Sequence, residues 1–89
     1  MNEKISVVIP AYNESEHIAA NLREIVTSLS RFARDFEIVL VDDGSIDETW
    51  RRAAESEQGG VVRVVRYPHN MGKGYALATG ARFASGTYT

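Results

Sequence analysis

Two adjacent acids, Asp42 and Asp43, come directly after an uninterrupted apolar run at 38–41. Such a run predicts a strand that is buried on both faces, as in a parallel sheet. Open α/β sheets bind ligands at the carboxyl ends of their strands, which is where both carboxylates would lie. A carboxylate accepts N–H or hydroxyl donors, so Asp42 is a candidate for contact with a base, and Asp43 for contact with a ribose or a phosphate-bound metal. The alternative is a solvated loop acid followed by a helix-capping acid, since acids followed by glycine and serine are common in turns.

The loop from Pro10 to Glu14 follows the first predicted strand and would lie at the same edge. Dinucleotide-binding folds carry a glycine-rich turn at this place, whereas this loop contains no glycine. Tyr12 instead offers a ring for packing a nucleoside, and Glu14 offers a carboxylate for ribose hydroxyls. The residues are equally consistent with Tyr12 packing on the rim of the core and Glu14 favouring a helix N-terminus.

A third loop, at 69–74, places Lys73 between two glycines at the start of a predicted helix. Backbone N–H groups at a helix N-terminus, together with a cation, suit a phosphate, so Asn70, Gly72 and Lys73 are candidate binding residues. The spacing is not that of a P-loop. His69 is predicted to be an exposed loop residue. Neither histidine of the chain has the partners of a catalytic triad or of a metal site, so no catalytic residue and no metal ligand is predicted.

The composition is that of one ordinary globular domain, 1–89. A formal charge of −2 gives no electrostatic case for nucleic acid, and the chain contains no cysteine for disulfides, metal sites or nucleophiles. No signal peptide or membrane-spanning run can be identified, which leads us to expect a cytoplasmic protein or one at the cytoplasmic face of a membrane.

The elements that position these loops alternate between strand and helix patterns, βαβαβα, with strands at 5–9, from about 37 and at 61–67, and a fourth beginning at 87–89. The first helix is predicted to start at a capping box of Asn13 and Glu16, and the second at one of Ser45 and Glu48. Apolar residues on the inward faces of these two helices are Ile18, Leu22, Ile25, Val26, Leu29 and Phe32 in the first, and Trp50, Ala53 and Ala54 in the second.

The third helix is predicted to run to about Ala84 and to pack closely on the sheet, because it is rich in small residues. Right-handed crossovers place the first two helices on one face and order the parallel strands 3-2-1. A fourth strand would return beside strand 1, and without it strand 1 would be an open edge.

Four segments of the chain together are more specific than any one loop: VVIPAYNE at 7–14, VDDGSID at 41–47, NMGKGYALATG at 70–80 and ASGTY at 84–88. In this order and spacing they resemble family 2 inverting glycosyltransferases of the GT-A fold. The third segment is similar to the branch of dolichyl- or polyprenyl-phosphate mannose and glucose synthases. The resemblance implies a partial, Rossmann-like GT-A domain that forms the nucleotide-sugar-binding half of a glycosyltransferase.

By this resemblance the donor is a UDP- or GDP-sugar, and a polyprenyl phosphate is the acceptor of the complete enzyme. The implied lining of the nucleoside is Pro10, Ala11, Tyr12 and Glu14, with Asp42 at the base, Asp43 near the ribose or phosphates, and Asn70, Gly72 and Lys73 near the diphosphate. The family uses a divalent metal, Mg or Mn, whose D-x-D ligands follow the next strand and are absent from this chain. The chain alone is therefore not expected to transfer sugar. The alternative is a non-catalytic binding or assembly module that forms a homo-oligomer through the open edge of strand 1.

Overall fold

A computed structural model describes residues 4–56, 60–84 and 87–88, which form one parallel sheet with helices on both faces. The elements are β1 (Ile5–Ala11), α1 (Ile18–Leu29), β2 (Phe36–Asp43), α2 (Thr49–Glu55), β3 (Val62–Tyr67), α3 (Lys73–Phe83) and β4 (Thr87–Tyr88). The strands lie in the order β3-β2-β1-β4, and every pair is parallel. The predicted α/β class and the 3-2-1 order are confirmed. Of the predicted fourth strand, Thr89 lies outside the described residues.

The centre of the sheet is β2, whose residues 38–41 are completely buried. Successive side chains of a strand point to opposite faces, which is why a central strand of this kind is apolar throughout. Ile38 and Leu40 pack with α1 and α2, while Val39 and Val41 pack with α3. The helices therefore change face between α2 and α3, as the right-handed crossover rule requires for this strand order.

Close packing of α3 on the sheet depends on Gly80. A Cβ atom at this position would lie 2.2 Å from Cγ1 of Val8 and 3.0 Å from Cγ2 of Val41. The expectation of a closely packed helix rich in small residues is confirmed, and Gly80 is the residue that permits the approach.

Neither predicted capping box is formed. The N-cap positions of α1 and α2 are occupied by His17 and Glu48, with no side-chain cap hydrogen bond at either. Asn13 and Ser45 instead bond to each other's loops: the Asn13 N–H donates to Ser45 Oγ at 2.9 Å, and the Ile46 N–H donates to Asn13 Oδ1 at 3.0 Å. The local pattern was wrong because these side chains satisfy backbone groups more than 30 residues away.

Two predictions of inward-facing residues are also wrong. Phe32 is 86% exposed because α1 ends at Leu29, and Ala54 is exposed although its neighbour Ala53 is completely buried. α2 is a seven-residue helix, too short to bury more than a narrow stripe.

The edge of β1 is not entirely open. Ile5 and Ser6 pair with Thr87 and Tyr88 of β4, so the expectation of a wholly unpaired strand 1 is corrected for its first two residues. No helix within 4–56 and 60–84 is both long and apolar enough to span a bilayer.

Candidate functional site

A cleft of about 400 Å³ lies at the carboxyl edge of the sheet, between the loop after β1 and the loop before α3. It is lined by Pro10, Ala11, Tyr12, Glu14, Asp43, Asn70, Gly72 and Lys73. Because α1 and α3 lie on opposite faces, this is the switch point of the sheet, where open α/β folds bind ligands. The structure thus brings together eight of the nine residues that the sequence predicts for the site, and leaves Asp42 outside the lining.

The two adjacent acids at the end of β2 point to opposite faces of the sheet. Asp42 is 1% exposed; its Oδ1 accepts a hydrogen bond from the Ser45 N–H at 3.0 Å. Its Oδ2 is buried and has no hydrogen-bond partner among the described residues. A contact between Asp42 and a base therefore stays a prediction. Asp43 is only 4% exposed, so neither acid is the solvated loop residue of the alternative interpretation.

The carboxylate of Asp43 holds the loop at 69–72. Its Oδ1 accepts hydrogen bonds from the Tyr67 hydroxyl at 2.5 Å and the Met71 N–H at 2.9 Å. Its Oδ2 accepts from Asn70 Nδ2 at 2.8 Å and the Gly72 N–H at 3.1 Å. A carboxylate has about four acceptor sites, and internal donors occupy all of them. Asp43 therefore shapes the wall of the cleft through the loop that it binds.

Hydrogen bonding keeps Asp43 ionised in spite of its burial. Burial by itself would raise the pKa of this carboxyl, but hydrogen bonds from Tyr67, Met71 and Gly72 outweigh it and hold the pKa below its usual value. Burial, the hydrogen bond to Asp43 and the charge of Asp43 all raise the pKa of Tyr67, which stays a neutral donor. The Tyr67 ring also packs edge-to-face on Tyr75, with ring centroids 5.2 Å apart. The contacts of Tyr67 with Asp43 and Tyr75 thus help to hold the wall of the cleft formed by the loop at 69–72 in one conformation.

Lys73 lies at the start of α3 and reaches the cleft. The preceding Gly72 has φ +96° and provides no side-chain cap, and the first turn carries no acid. Free N–H groups and the positive end of the helix dipole are therefore combined with a lysine. This end of the cleft suits an anion, as the glycine-containing loop predicted.

The opposite wall is formed by the loop after β1. Tyr12 is 46% exposed, so its ring is accessible from the cleft and is not packed in the core. The exposed Glu14 turns back on the same loop, with its Oε2 accepting a hydrogen bond from the Tyr12 N–H at 3.4 Å. An accessible ring and a carboxylate are thus presented side by side.

The backbone of this second wall is held by residues that the sequence did not assign to the site. The Glu14 N–H donates to Thr49 Oγ1 at 2.8 Å, and the Ser15 N–H donates to Asp47 Oδ2 at 3.3 Å. The pKa of Asp47 lies below its usual value, chiefly because its carboxylate accepts a hydrogen bond from the Thr49 hydroxyl. Burial raises this pKa, but further hydrogen bonds from the backbone of Thr49 and Ser15 help to outweigh it. The available signal was two short polar side chains at the start of a helix, of a type that favours bonding to backbone groups.

The two loops beside β2 and β3 touch backbone to backbone at Gly44. Its φ is +69°, and a Cβ atom there would lie 2.2 Å from the carbonyl carbon of His69 and 2.3 Å from the Asn70 nitrogen. A glycine is required on both counts. His69 itself is exposed, as predicted.

The described residues do not fit a resident metal ion. Within 4–56, 60–84 and 87–88 there is no group of three or more His, Cys, Asp or Glu side chains that could hold one. The oxygens of Asp43 are already occupied, and Asp42 is enclosed by protein.

Comparison with known proteins gives a family. The model for glycosyl transferase family 2 matches residues 6–89. The dolichol-phosphate mannosyltransferase of Pyrococcus furiosus is 39% identical over 83 residues, which cover 93% of this chain and 23% of that protein. The undecaprenyl-phosphate 4-deoxy-4-formamido-L-arabinose transferase of Klebsiella pneumoniae is 39% identical over 87 residues, covering 94% of this chain and 26% of that protein. The chain therefore spans about a quarter of the length of these relatives.

Solved structures share the fold. A mannosyltransferase of Pyrobaculum calidifontis, in complex with GDP-Man and Mn²⁺, superposes with a TM-score of 0.80 at 33% identity, over 97% of this chain and 26% of the other. A glucosyl-3-phosphoglycerate synthase of Mycobacterium tuberculosis, in complex with Mn²⁺, UDP and phosphoglyceric acid, superposes with a TM-score of 0.73 at 33% identity, over 94% of this chain and 30% of the other. Both likenesses agree with the family match over residues 6–89. The chain belongs to glycosyl transferase family 2.

Proposed function

We propose that this chain is the nucleotide-sugar-binding part of a glycosyltransferase whose donor is a UDP- or GDP-sugar. The observation that carries the proposal is the cleft at the switch point, where an accessible ring and a carboxylate stand opposite a lysine at a helix N-terminus. Those are the groups needed for a nucleoside, its ribose and its diphosphate. Solved relatives in complex with GDP-Man or with UDP support this choice of ligand.

In this proposal the diphosphate lies at the start of α3, against Lys73 and the free N–H groups of the first turn. The nucleoside lies along Pro10 and Ala11 with Tyr12 packed on it, and Glu14 accepts hydrogen bonds from ribose hydroxyls. Asp43 contributes through the loop that it holds, because a saturated and ionised carboxylate would repel a phosphate in direct contact.

We also propose that the complete enzyme transfers sugar to a polyprenyl phosphate. This rests on the two curated relatives, whose names state dolichol phosphate and undecaprenyl phosphate. Both solved relatives contain Mn²⁺. A divalent metal, Mg or Mn, would be held by carboxylates outside the described residues.

Isothermal titration of the chain with GDP, UDP, GDP-mannose and UDP-glucose, with and without Mn²⁺, tests the donor. We expect a folded wild-type chain to bind at least one of these nucleotides. Lys73→Ala should weaken binding by about tenfold or more, because it removes a charge-assisted contact with the diphosphate. The matched control is Arg23→Ala, which removes the same charge from an exposed position on α1, outside the cleft lining. The proposal would fail if the folded chain bound none of the nucleotides, or if both substitutions had the same effect.

A further inference from the structure

Thr49 is a completely buried residue that does not line the cleft but bonds to a loop that does. Its hydroxyl accepts a hydrogen bond from the Glu14 N–H at 2.8 Å and donates one to Asp47 Oδ1. A single hydroxyl is therefore donor and acceptor at once, with no remaining freedom of rotation. The hydroxyl itself is completely buried, so leaving it without these partners would be costly.

Asp47 binds both Thr49 and the next backbone amide of the loop, that of Ser15. Its Oδ1 also accepts from the Thr49 N–H at 3.0 Å, and its Oδ2 accepts from the Ser15 N–H at 3.3 Å. Two consecutive backbone amides of the loop after β1, those of Glu14 and Ser15, thus bond to the residues that begin α2. Arg52 adds a bond from its Nη1 to the carbonyl oxygen of Ser15 at 3.0 Å.

We propose that Thr49 and Asp47 are positioning residues for nucleotide binding: they hold the backbone at 14–15 and thereby place Tyr12 and Glu14 at the cleft. The effect reaches Tyr12 because its N–H bonds to the carboxylate of Glu14. Neither residue touches the ligand. This inference rests on the proposed function, since it concerns the same cleft.

The chain offers a direct test in three variants. Thr49→Val keeps the branched shape but removes the hydroxyl, Thr49→Ser keeps the hydroxyl, and Ser6→Ala serves as the control. Ser6 is another completely buried hydroxyl that donates to a carboxylate, Glu37 Oε2 at 2.6 Å, but it lies in the first half of β1, away from the cleft. It therefore reports what a general loss of stability does to binding.

Two measurements are made on each variant: affinity for GDP and UDP by titration, and amide hydrogen exchange by NMR. Thr49→Val removes both hydrogen bonds of the hydroxyl. Because the bond from the Glu14 N–H is lost, we expect nucleotide binding to weaken about fivefold to tenfold and exchange at the Glu14 amide to become faster. Thr49→Ser should bind within about twofold of the wild type. Ser6→Ala should lower the melting temperature while leaving the affinity and the Glu14 exchange rate unchanged.

Unchanged affinity and unchanged Glu14 exchange in a folded Thr49→Val chain would overturn the inference. An equal loss of affinity in Ser6→Ala would do the same, because it would assign the effect to general destabilisation. If the wild-type chain bound neither nucleotide, the proposed function would fall, and the exchange rates alone would decide whether Thr49 holds the loop.

Discussion

The two walls of the cleft are held in different ways. The loop at 69–72 depends on one residue, Asp43, which accepts the hydrogen bonds from Asn70, Met71 and Gly72. Its carboxylate also accepts one from the Tyr67 hydroxyl at the end of β3. The loop at 13–15 is tied by several separate side chains, those of Ser45, Asp47, Thr49 and Arg52.

The two walls are therefore expected to respond differently when a hydrogen-bonding side chain is removed. A wall held at one buried charge loses most of its hydrogen bonds at once when that charge is removed, and the partly buried Tyr67 hydroxyl and Gly72 N–H are then left without an acceptor. A wall held at several partly exposed points loses one contact at a time, and water can replace some of them. Substitutions and pH can separate the two cases.

The largest effect is expected for Asp43→Ala. It leaves three donors without an acceptor, those of Tyr67, Met71 and Gly72, while Asn70 keeps its bond to the Asp43 carbonyl oxygen. The cost is about 1–3 kcal/mol for each donor that water cannot reach, a large part of the 5–15 kcal/mol typical of a domain. Ser45→Ala in the other wall, where Asn13 is exposed, should cost about 1 kcal/mol or less. Urea unfolding followed by circular dichroism measures both. Equal losses in the two variants would contradict the contrast between the walls.

Acid should weaken both walls together, with a smaller effect. The pKa values of Asp43 and Asp47 are lowered from 3.8 in the folded chain, so their contribution to the free energy of unfolding is complete above that pH. It is lost as the pH falls through the folded-state values, because protons then bind more readily to the unfolded chain. Urea unfolding at pH 7, 5 and 3 should show a decline mainly below pH 4.

Substitution of each carboxylate shows how much of the loss of stability in acid it causes. Asp43→Asn and Asp47→Asn should each reduce the slope of the unfolding free energy against pH, because each removes a carboxyl whose pKa is lowered in the folded chain. An acid dependence that persisted undiminished in both variants would assign the decline to other groups.

An effect far smaller than that of Asp43→Ala is expected for Tyr67→Phe. It removes one of the four donors to Asp43 without leaving an unpaired donor, so the free energy of unfolding should fall by about 1 kcal/mol. The remaining three hydrogen bonds should keep the loop in place, and nucleotide affinity should change little. A loss as large as that of Asp43→Ala would show that the wall depends on the tyrosine and not on the carboxylate.

The sequence predicted the architecture well because the decisive signals are local. The apolar run at 38–41 indicates a central strand, and the crossover rule then orders its neighbours and brings the three loops to one edge. Eight of the nine predicted site residues line one cleft for this reason. Their individual contacts with a nucleotide stay predictions.

What the sequence missed depends on contacts between distant segments. Asn13 and Ser45 are residue types that commonly cap helices, yet the side chain of each accepts a hydrogen bond from a backbone N–H of the other loop. No local sequence pattern distinguishes these two uses. Asp42 and Asp43 have the same chemistry, but strand alternation turns only one toward the cleft, and which one follows from the face that α3 covers. Thr49 and Asp47 were not assigned to the site because their role depends on backbone groups more than 30 residues away.

Gly44 sets a limit on how this cleft can be varied. The backbone at the end of β2 lies against that of His69 and Asn70 with less room than one methyl group needs. The spacing between the strand and the 69–72 loop is thus determined by main-chain atoms, which every sequence shares. A side chain at position 44 would push the loop away from the strand and change the width of the cleft on this side.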